Sequence, residues 1–451
     1  MLSIARLAAQ VAARQLTVEH LVGDALARIE PANRAINAFI TVLGDRALAD
    51  ARRLDADLAR GRYLGPLHGM PISVKDLVDV EGVPTTAASR VRRDHVARHD
   101  ATAIARLRAA GAVIIGKTNL HEFAYGTTSE DSAYGPVRHP LDFTRSAGGS
   151  SGGSAASIAA GLCAGSVGTD TGGSIRIPSA ACGTVGLKPT YGEIPCDGIV
   201  PLSRSLDHAG PMAADVASAW LLYQAMTGAP GSLASLPDPA GPGPGARGIR
   251  LGIPRRYFLD LLDEEVRARF EEAIDRLRQA GASVTDVDVP HVDLSGTIYL
   301  HIQLPESSAY HATMLERAPE LYTLPVRLRL EMGRYVLAED YARAQQGREL
   351  LQREVDATLE NVDALALPTL PIPAPLLGQA TARVGPAEMP VRALMLRLTQ
   401  SFNLTGHPAI SLPSGRTAGG LPTALQLVGR RHQTSDLLRL ALRVETTLPP
   451  V

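Results

Sequence analysis

Segments with helical spacing of apolar residues alternate along the chain with short apolar runs that are typical of buried strands. In the first part of the chain, helical spacing covers residues 17–29, 46–60 and 100–110, and strand-like runs lie at 38–42, 71–78 and 113–115. Asp100 stands where the third helix needs an N-cap, and Gly111 stands where that helix has to stop. This alternation predicts a layered α/β fold.

The second half of the chain repeats the pattern. Residues 249–287 predict a β–α–β unit, with a charged amphipathic helix at 263–280 and Gly281 as its stop. Residues 306–353 have mostly helical character. Buried strands ending at prolines are predicted at 364–367 and 409–412.

We expect one continuous domain over residues 1–451, because large α/β enzymes often form a single body. Its expected parts are an N-terminal helical segment at 1–62, a core at 65–230, a Pro/Gly-rich surface loop at 228–248 and a second lobe at 249–451.

Charge and composition exclude several classes of protein. The formal net charge is −1, so nothing favours binding to nucleic acid or to an anionic membrane. The three cysteines, Cys163, Cys182 and Cys196, lack CxxC spacing, which argues against a disulfide framework or a zinc site. No secretory signal opens the chain, and the apolar run at 155–167 is too short to cross a bilayer. We therefore expect a cytoplasmic protein without a membrane partner.

Two familiar motifs occur in the wrong context. Residues 111–118 match the phosphate-loop pattern GxxxxGK[ST], but their four spacer residues are strand-like, so a buried strand is the better interpretation. His121-Glu122 begins a zinc-binding HExxH motif, but Tyr125 replaces its second histidine. We expect no metal ion and no cofactor.

Residues 148–152 satisfy GxSxG, the nucleophile elbow of α/β-hydrolases. That elbow follows an apolar strand, whereas residues 140–147 look like a loop, so we reject this interpretation as well.

Two glycine- and serine-rich segments, 146–154 and 168–178, differ from ordinary flexible linkers. The second is held by Asp170, Arg176 and Pro178, and apolar segments enclose both. Its two consecutive glycines let the backbone aim successive N–H groups into one cavity. Acyl transfer needs such a nest beside a serine hydroxyl, because each donor to the oxyanion can lower the barrier by roughly 3–4 kcal/mol.

A nucleophilic serine also needs a base. Only three of the 45 basic residues are lysines, namely Lys75, Lys117 and Lys188. Arginine keeps its proton in a protein, whereas burial can lower the pKa of a lysine into the working range. Lys75 lies on a predicted apolar strand and is a candidate for this base; a structural ion pair with Asp76 or Asp79 is an equally good interpretation.

Three segments together resemble the amidase-signature family: GMPISVKD at 69–76, GGSSGGS at 148–154 and GTDTGGSIRIP at 168–178. Further similarity lies at 116–124, 182–192, 368–371 and 403–411, so the resemblance covers most of the chain from about 65 to 430. The central segment, 145–192, is very specific to this family. The resemblance implies a mixed central β-sheet covered by helices on both faces.

The same resemblance implies a Ser–Ser–Lys triad. Ser174 is then the nucleophile, and Ser150 passes its proton to Lys75. The backbone N–H groups from Thr171 through Gly172 and Gly173 to Ser174 would form the oxyanion hole. The peptide bond between Gly149 and Ser150 is expected to be cis.

Four residues are expected around the acyl group of the substrate by the same similarity: Tyr125, Gly126, Thr127 and Gly149. Tyr125 is equally well explained as an ordinary core aromatic. Substrate specificity is expected to involve residues 297–345. The expected partner is a small-molecule amide or carbamate, with anilides and esters also open, and the expected assembly is a monomer or homodimer.

Two alternatives remain at this stage. One is the glutamine-hydrolysing A subunit of a tRNA-dependent amidotransferase, in which an aspartate precedes the Asn-Leu-x-Gly-x-Pro motif by seven residues. Here that position is Leu396, which argues against glutamine and favours less polar amides. The other is a non-catalytic binding protein on the same fold.

Overall fold

The computed structural model describes residues 1–229 and 245–449. Its helices are α1 Ile4–Ala12, α2 Val18–Ile36, α3 Gly44–Ala59, α4 Thr102–Ala109, α5 Gly152–Ala159, α6 Arg176–Cys182, α7 Val216–Thr227, α8 Glu264–Gln279, α9 Ser295–Arg317, α10 Leu324–Met332, α11 Ala338–Leu359, α12 Val391–Arg397, α13 Ser401–Leu404 and α14 Thr434–Glu445. Its strands are β1 Phe39–Val42, β2 Pro71–Lys75, β3 Val113–Thr118, β4 Arg138–His139, β5 Asp142–Ser146, β6 Gly165–Asp170, β7 Val185–Lys188, β8 His208–Ala213, β9 Arg250–Pro254, β10 Ser283–Val287, β11 Ala364–Pro368, β12 Thr381–Val384, β13 Ala387–Pro390, β14 Ala409–Arg416 and β15 Pro422–Val428.

Eleven strands form one mixed sheet in the order β1-β3-β2-β6-β8-β7-β14-β15-β11-β9-β10. Strand β2 pairs in parallel with β3 and β6, and β9 pairs in parallel with β10 and β11, whereas the strands between these groups are antiparallel. Strands from both halves of the chain thus share one sheet. The α/β class and the mixed central sheet flanked by helices are confirmed.

Burial explains the unbroken apolar runs of the central strands. All residues of β2, β3, β6 and β15 are buried, so these strands need no polar face. The β–α–β prediction is confirmed, since α8 connects β9 with its parallel neighbour β10. The phosphate-loop motif is indeed a strand: β3 covers three of its four spacer residues and continues to the end of the motif.

Three local predictions were wrong. The N-cap of α4 is Ala101; the Asp100 carboxylate instead accepts the Glu81 N–H at 2.8 Å and pairs with Arg108 at 2.9 Å. Residues 140–147 include strand β5, which forms a separate two-stranded sheet with β4 and is mostly solvent-facing, so no apolar strand precedes Ser150. Strand β2 ends at Lys75 rather than at residue 78. The chain turns after Lys75, and the Val78 N–H donates a hydrogen bond to the Lys75 carbonyl.

The predicted Pro/Gly-rich loop falls mainly outside the described residues, because 230–244 are not among them. Within the described ranges, no helix is long and apolar enough to cross a membrane.

A buried ion pair joins the ends of β2 and β3. Lys117 Nζ lies 2.7 Å from Asp76 Oδ1, with both side chains almost completely buried. The ammonium also donates to the Pro84 carbonyl and the Thr85 hydroxyl at 3.0 and 3.1 Å. Asp76, one of the two proposed ion-pair partners of Lys75, is therefore engaged elsewhere.

We expect Lys117→Met to lower the free energy of unfolding by about 3–5 kcal/mol, because it leaves the Asp76 carboxylate buried without a counter-charge. Chemical denaturation measures the change. The matched control is Arg34→Met, which removes a fully exposed pair with Glu30 and should cost less than about 1 kcal/mol. Equal losses in the two variants would contradict a structural role for the buried pair.

Candidate active site

Lys75 ends strand β2 inside the sheet, between β3 and β6. Its side chain is completely buried. Nζ lies 2.8 Å from Ser150 Oγ and 2.7 Å from Thr169 Oγ1, with the Thr169 carbonyl at 3.5 Å. The sequence did not single out Thr169, although it lies inside the motif at 168–178.

The surroundings of Lys75 disfavour its charged form. Burial lowers the pKa of the amine to about 7, while the negative charges of Asp170 and Asp207 act in the opposite direction. Within residues 1–229 and 245–449, no carboxylate lies within ion-pair distance of Nζ. The predicted alternative, an ion pair with Asp76 or Asp79, is therefore not formed.

Ser150 is held beside this amine by its backbone. The Gly149–Ser150 peptide bond is cis, as the resemblance implied. The Ser150 carbonyl accepts hydrogen bonds from Ser129 Oγ at 3.1 Å and from the His121 N–H at 3.2 Å. A side chain at position 149 would approach the Ser129 backbone nitrogen to 2.8 Å, so only glycine fits there.

Ser174 lies between β6 and α6, where the second glycine-rich segment brings it against the first. The Ser151 N–H donates to the Ser174 carbonyl at 3.2 Å, and Ser151 Oγ donates to the Thr169 carbonyl at 3.1 Å. The Ser174 side chain is only 6% exposed. Its hydroxyl forms no hydrogen bond within the described part of the chain, so it remains free to rotate towards a substrate or towards Ser150.

In the loop from Thr171 to Ser174, the carbonyls of Gly172, Gly173 and Ser174 accept hydrogen bonds, whereas the N–H groups have no partner among the described residues. Thr399 Oγ1 donates to the Gly172 carbonyl at 2.6 Å, and Thr171 Oγ1 donates to Asp207 at 2.6 Å. Gly173 has φ +143°, and a Cβ there would overlap the Thr399 hydroxyl. Among the described residues, no acceptor bonds the N–H groups of 171–174. Unpaired N–H groups are one requirement of an oxyanion hole.

A buried polar network holds the loop from Thr171 to Ser174 in place. The Arg176 guanidinium contacts Asp170 at 3.0 Å, Asn403 Oδ1 at 2.6 Å and Gln426 Oε1 at 2.7 Å. Burial alone would raise the pKa of the Asp170 carboxyl, but the adjacent Arg176 holds it well below its usual range. By contrast, burial raises the pKa of Asp207 to about 6, against the hydrogen bond from Thr171.

The four predicted substrate-binding residues are all buried. Gly149 packs against the backbone of Thr128 and Ser129. Gly126 packs against the His121 ring so closely that a Cβ would overlap it. Thr127 is 3% exposed. Tyr125 is 1% exposed, and its hydroxyl accepts a hydrogen bond from Ser307, so its environment is that of a core aromatic.

Two side chains that contact the loop come from distant parts of the chain. A Cβ on Gly172 would lie 2.7 Å from Tyr299 Oη and 2.9 Å from Leu396 Cδ2. Tyr299 lies on α9, inside the segment 297–345 expected to affect specificity, and Leu396 lies on α12. No local pattern in the sequence marks Tyr299, Thr399 or Asp207, because each reaches the loop only through the tertiary fold.

Comparison with known proteins shows which family the chain resembles. A family model described as Amidase matches residues 20–438. An amidase from Pseudomonas putida is 44% identical over 98% of this chain and 95% of its own length. The A subunit of a glutamyl-tRNA(Gln) amidotransferase from Koribacter versatilis is 38% identical over 97% of this chain and 96% of its own. A crystal structure of an amidase superposes with a TM-score of 0.93 at 36% identity, covering 99% of this chain and 100% of that one.

These matches define the protein as a hydrolase that acts on C–N bonds. The chain belongs to the amidase family.

We expect Gly173→Ala to lower kcat roughly 10²–10³-fold, because the added methyl group overlaps Thr399 and turns the N–H groups of the loop away from the substrate. Steady-state hydrolysis of an amide measures the effect. Gly61→Ala is the matched control, since Gly61 also has positive φ but open space around its Cβ position. Wild-type kcat in Gly173→Ala would exclude this loop as the oxyanion hole.

Proposed function

We propose that this protein hydrolyses small-molecule amides through an acyl-enzyme on Ser174, with Ser150 and Lys75 as the proton relay. The observation that carries the proposal is the 2.8 Å contact between Lys75 Nζ and Ser150 Oγ in a fully buried setting. Burial brings the pKa of Lys75 to about 7, so a substantial fraction of the amine is neutral near neutral pH.

Acylation begins when Ser174 Oγ attacks the carbonyl carbon of the substrate. The Ser174 proton passes to Ser150, and the Ser150 proton passes to neutral Lys75. The negative charge that develops on the substrate oxygen is bound by the free N–H groups from Thr171 to Ser174. Because the Ser174 hydroxyl has no competing partner in the described structure, it can align with Ser150 when substrate is bound.

Collapse of the tetrahedral intermediate needs the relay in the opposite direction. An amide nitrogen is a very poor leaving group until it is protonated, and the Lys75 ammonium supplies that proton through Ser150. Water then attacks the acyl-enzyme, and its proton passes through Ser150 to Lys75. When the tetrahedral intermediate collapses, the bond to Ser174 Oγ breaks, the carboxylic acid product leaves, and Lys75 returns the proton through Ser150 to Ser174. Neither half-reaction requires a cofactor from outside the chain.

The walls of the site support a substrate without an ammonium group. Leu396, at the position where the resemblance to amidotransferase A subunits would place an aspartate, packs against Gly172 in the candidate oxyanion loop. A leucine offers no counter-charge to the α-amino group of glutamine. Amides come first in this proposal; carbamates, anilides and esters share the same carbonyl chemistry and remain candidates.

Glutamine hydrolysis is the second candidate, because the amidotransferase relative is 38% identical to this chain over nearly its whole length. We propose a monomer or homodimer in the cytoplasm that needs no second type of chain for amide hydrolysis. Activity of the purified chain alone tests that part of the proposal.

A hydrolysis panel of amides, anilides, carbamates, esters and glutamine, with Ser174→Ala as the blank, tests the function directly. Labelling with a fluorophosphonate separates an enzyme from a non-catalytic binding protein. We expect wild-type protein to be labelled at Ser174 and the variant to remain unlabelled. Full activity in the Ser174→Ala protein would dismiss the assignment.

The pH dependence follows from the need for a neutral amine. Because protonated Lys75 cannot accept the proton, kcat/KM should rise with pH, reach a plateau above about 7 and fall about tenfold per unit below it. Initial rates between pH 5 and 9 measure the profile. The Lys75→Arg protein keeps a charged side chain throughout and should be inactive at every pH. A flat wild-type profile over this range would contradict the relay.

Removing the amine should affect amides more than esters. We expect Lys75→Ala to lower amide hydrolysis roughly 10²–10⁴-fold and ester hydrolysis distinctly less, because an alkoxide leaves without prior protonation. An anilide and a phenyl ester of the same acid form a matched pair for this measurement. Equal losses on both substrates would show that Lys75 is not the proton donor.

A further inference from the structure

The central sheet places a carboxylate beside the first residue of the candidate oxyanion loop. Strands β6 and β8 are antiparallel, and their register pairs Asp170 with His208. The next residue beyond β6, Thr171, and the residue before β8, Asp207, therefore stand opposite each other where the two strands end. Thr171 Oγ1 donates to Asp207 Oδ1 at 2.6 Å. The loop is thus anchored at its start by an acidic side chain.

The Asp207 carboxylate is itself held by the segment that precedes it. It accepts the Leu202 N–H at 3.0 Å and the Ser203 N–H at 3.1 and 3.2 Å. The Ser203 hydroxyl donates in turn to Glu306 on α9 at 2.7 Å. Hydrogen bonds to a charged acceptor are stronger than those between neutral groups. Asp207 is therefore fixed before it fixes Thr171.

No cation neutralises Asp207. Among residues 1–229 and 245–449, no lysine, arginine or histidine lies within ion-pair distance of its carboxylate. Asp170, the other carboxylate whose charge acts on Lys75, differs in this respect, because it pairs with Arg176 at 3.0 Å. Charges act beyond contact distance in an interior of low dielectric. The negative charge of Asp207 therefore reaches Lys75 without a paired cation.

The groups around Asp207 leave it charged at neutral pH. Burial and the negative charge of Glu306 raise its pKa to about 6, which is still below neutrality. Burial also raises the pKa of each phenol and thiol nearby, so these groups are neutral. The charged and titratable groups that interact with Asp207 or line the same cavity are Lys75, Tyr191, Cys196, Asp197, Arg204, Tyr299 and Glu306.

We propose that Asp207 is a positioning residue for the reaction, which fixes Thr171 in the oxyanion loop and supports the ammonium form of Lys75 through its negative charge. This rests on the proposed function, because both effects serve a loop that binds an oxyanion and an amine that accepts a proton. Burial alone weakens an amine as a base, and a nearby anion without a cation of its own offsets that loss.

The effect of the charge is measured on Lys75 itself. The chain has only three lysines, so protein labelled with ¹³C at the lysine ε-carbon gives three side-chain signals, and Lys75→Met identifies one of them. We expect the titration midpoint of Lys75 to fall by roughly 0.5–1 pH unit in Asp207→Asn, because the ammonium loses the support of an anion. The acid limb of kcat/KM should move to lower pH by the same amount.

Asp197→Asn is the matched control for this titration. Asp197 is an exposed acid that lines the same cavity, so its loss should leave the Lys75 midpoint unchanged. Asp207→Ser is a second neutral variant if Asp207→Asn folds poorly, since serine places no amide donor against the Leu202 and Ser203 N–H groups. A wild-type midpoint in a folded neutral variant of Asp207 would overturn the proposal.

The hydrogen bond is tested separately from the charge. Thr171→Val removes the hydroxyl but keeps the Asp207 carboxylate, so the Lys75 midpoint should stay at its wild-type value. We expect kcat for amide hydrolysis to fall roughly 10–100-fold with little change in KM, because the loop N–H groups bind the oxyanion more strongly than the substrate carbonyl. Thr171→Ser should recover most of kcat. Equal kcat in wild type and Thr171→Val, or equal losses in the two variants, would contradict the anchoring role.

The Lys75 titration needs no substrate, so it separates this proposal from the proposed function. If wild-type protein cleaves no amide and takes no fluorophosphonate label, but the midpoint shifts in Asp207→Asn, the proposed function fails and the coupling of Asp207 to Lys75 stands. If Ser174-dependent hydrolysis is observed, but neither the midpoint nor kcat responds to the variants, the proposed function stands and Asp207 is not a positioning residue.

Discussion

The contact between a buried lysine and a buried serine is the interaction on which the rest of the site depends. An amine in water stays protonated near neutral pH and cannot serve as a base, so the proposed relay needs Lys75 to be withdrawn from solvent without a carboxylate partner. The sheet does this by ending β2 between two parallel neighbours. The nearest acid in sequence, Asp76, pairs with Lys117 instead.

The second requirement is a loop whose carbonyls are engaged and whose N–H groups are not. The Asp170–Arg176 pair, with Asn403 and Gln426, anchors the loop from Thr171 to Ser174 at its base. Thr399 binds its Gly172 carbonyl. Polar groups that are fully satisfied in a dry interior hold a backbone rigidly, so this network keeps the loop in place while its N–H groups have no partner among the described residues.

The sequence predicted the α/β class, the positions of most strands and the burial of Lys75, because these depend on local periodicity and on motifs spaced closely along the chain. The partner residues were not predictable in this way. Thr399 and Tyr299 reach the glycine loop from more than a hundred residues away, and nothing near them distinguishes them from ordinary core residues. Asp100 is not the N-cap of α4, because its carboxylate accepts a hydrogen bond from the Glu81 N–H, which is distant in sequence.

Helix α12 is only seven residues long and carries none of the proposed catalytic side chains, yet its Leu396 packs against Gly172. In the proposed function, the leucine that lines the glycine loop and the residues of the proton relay therefore lie in separate stretches of the sequence. A substitution on this helix would alter the wall of the loop without replacing any of the proposed catalytic residues.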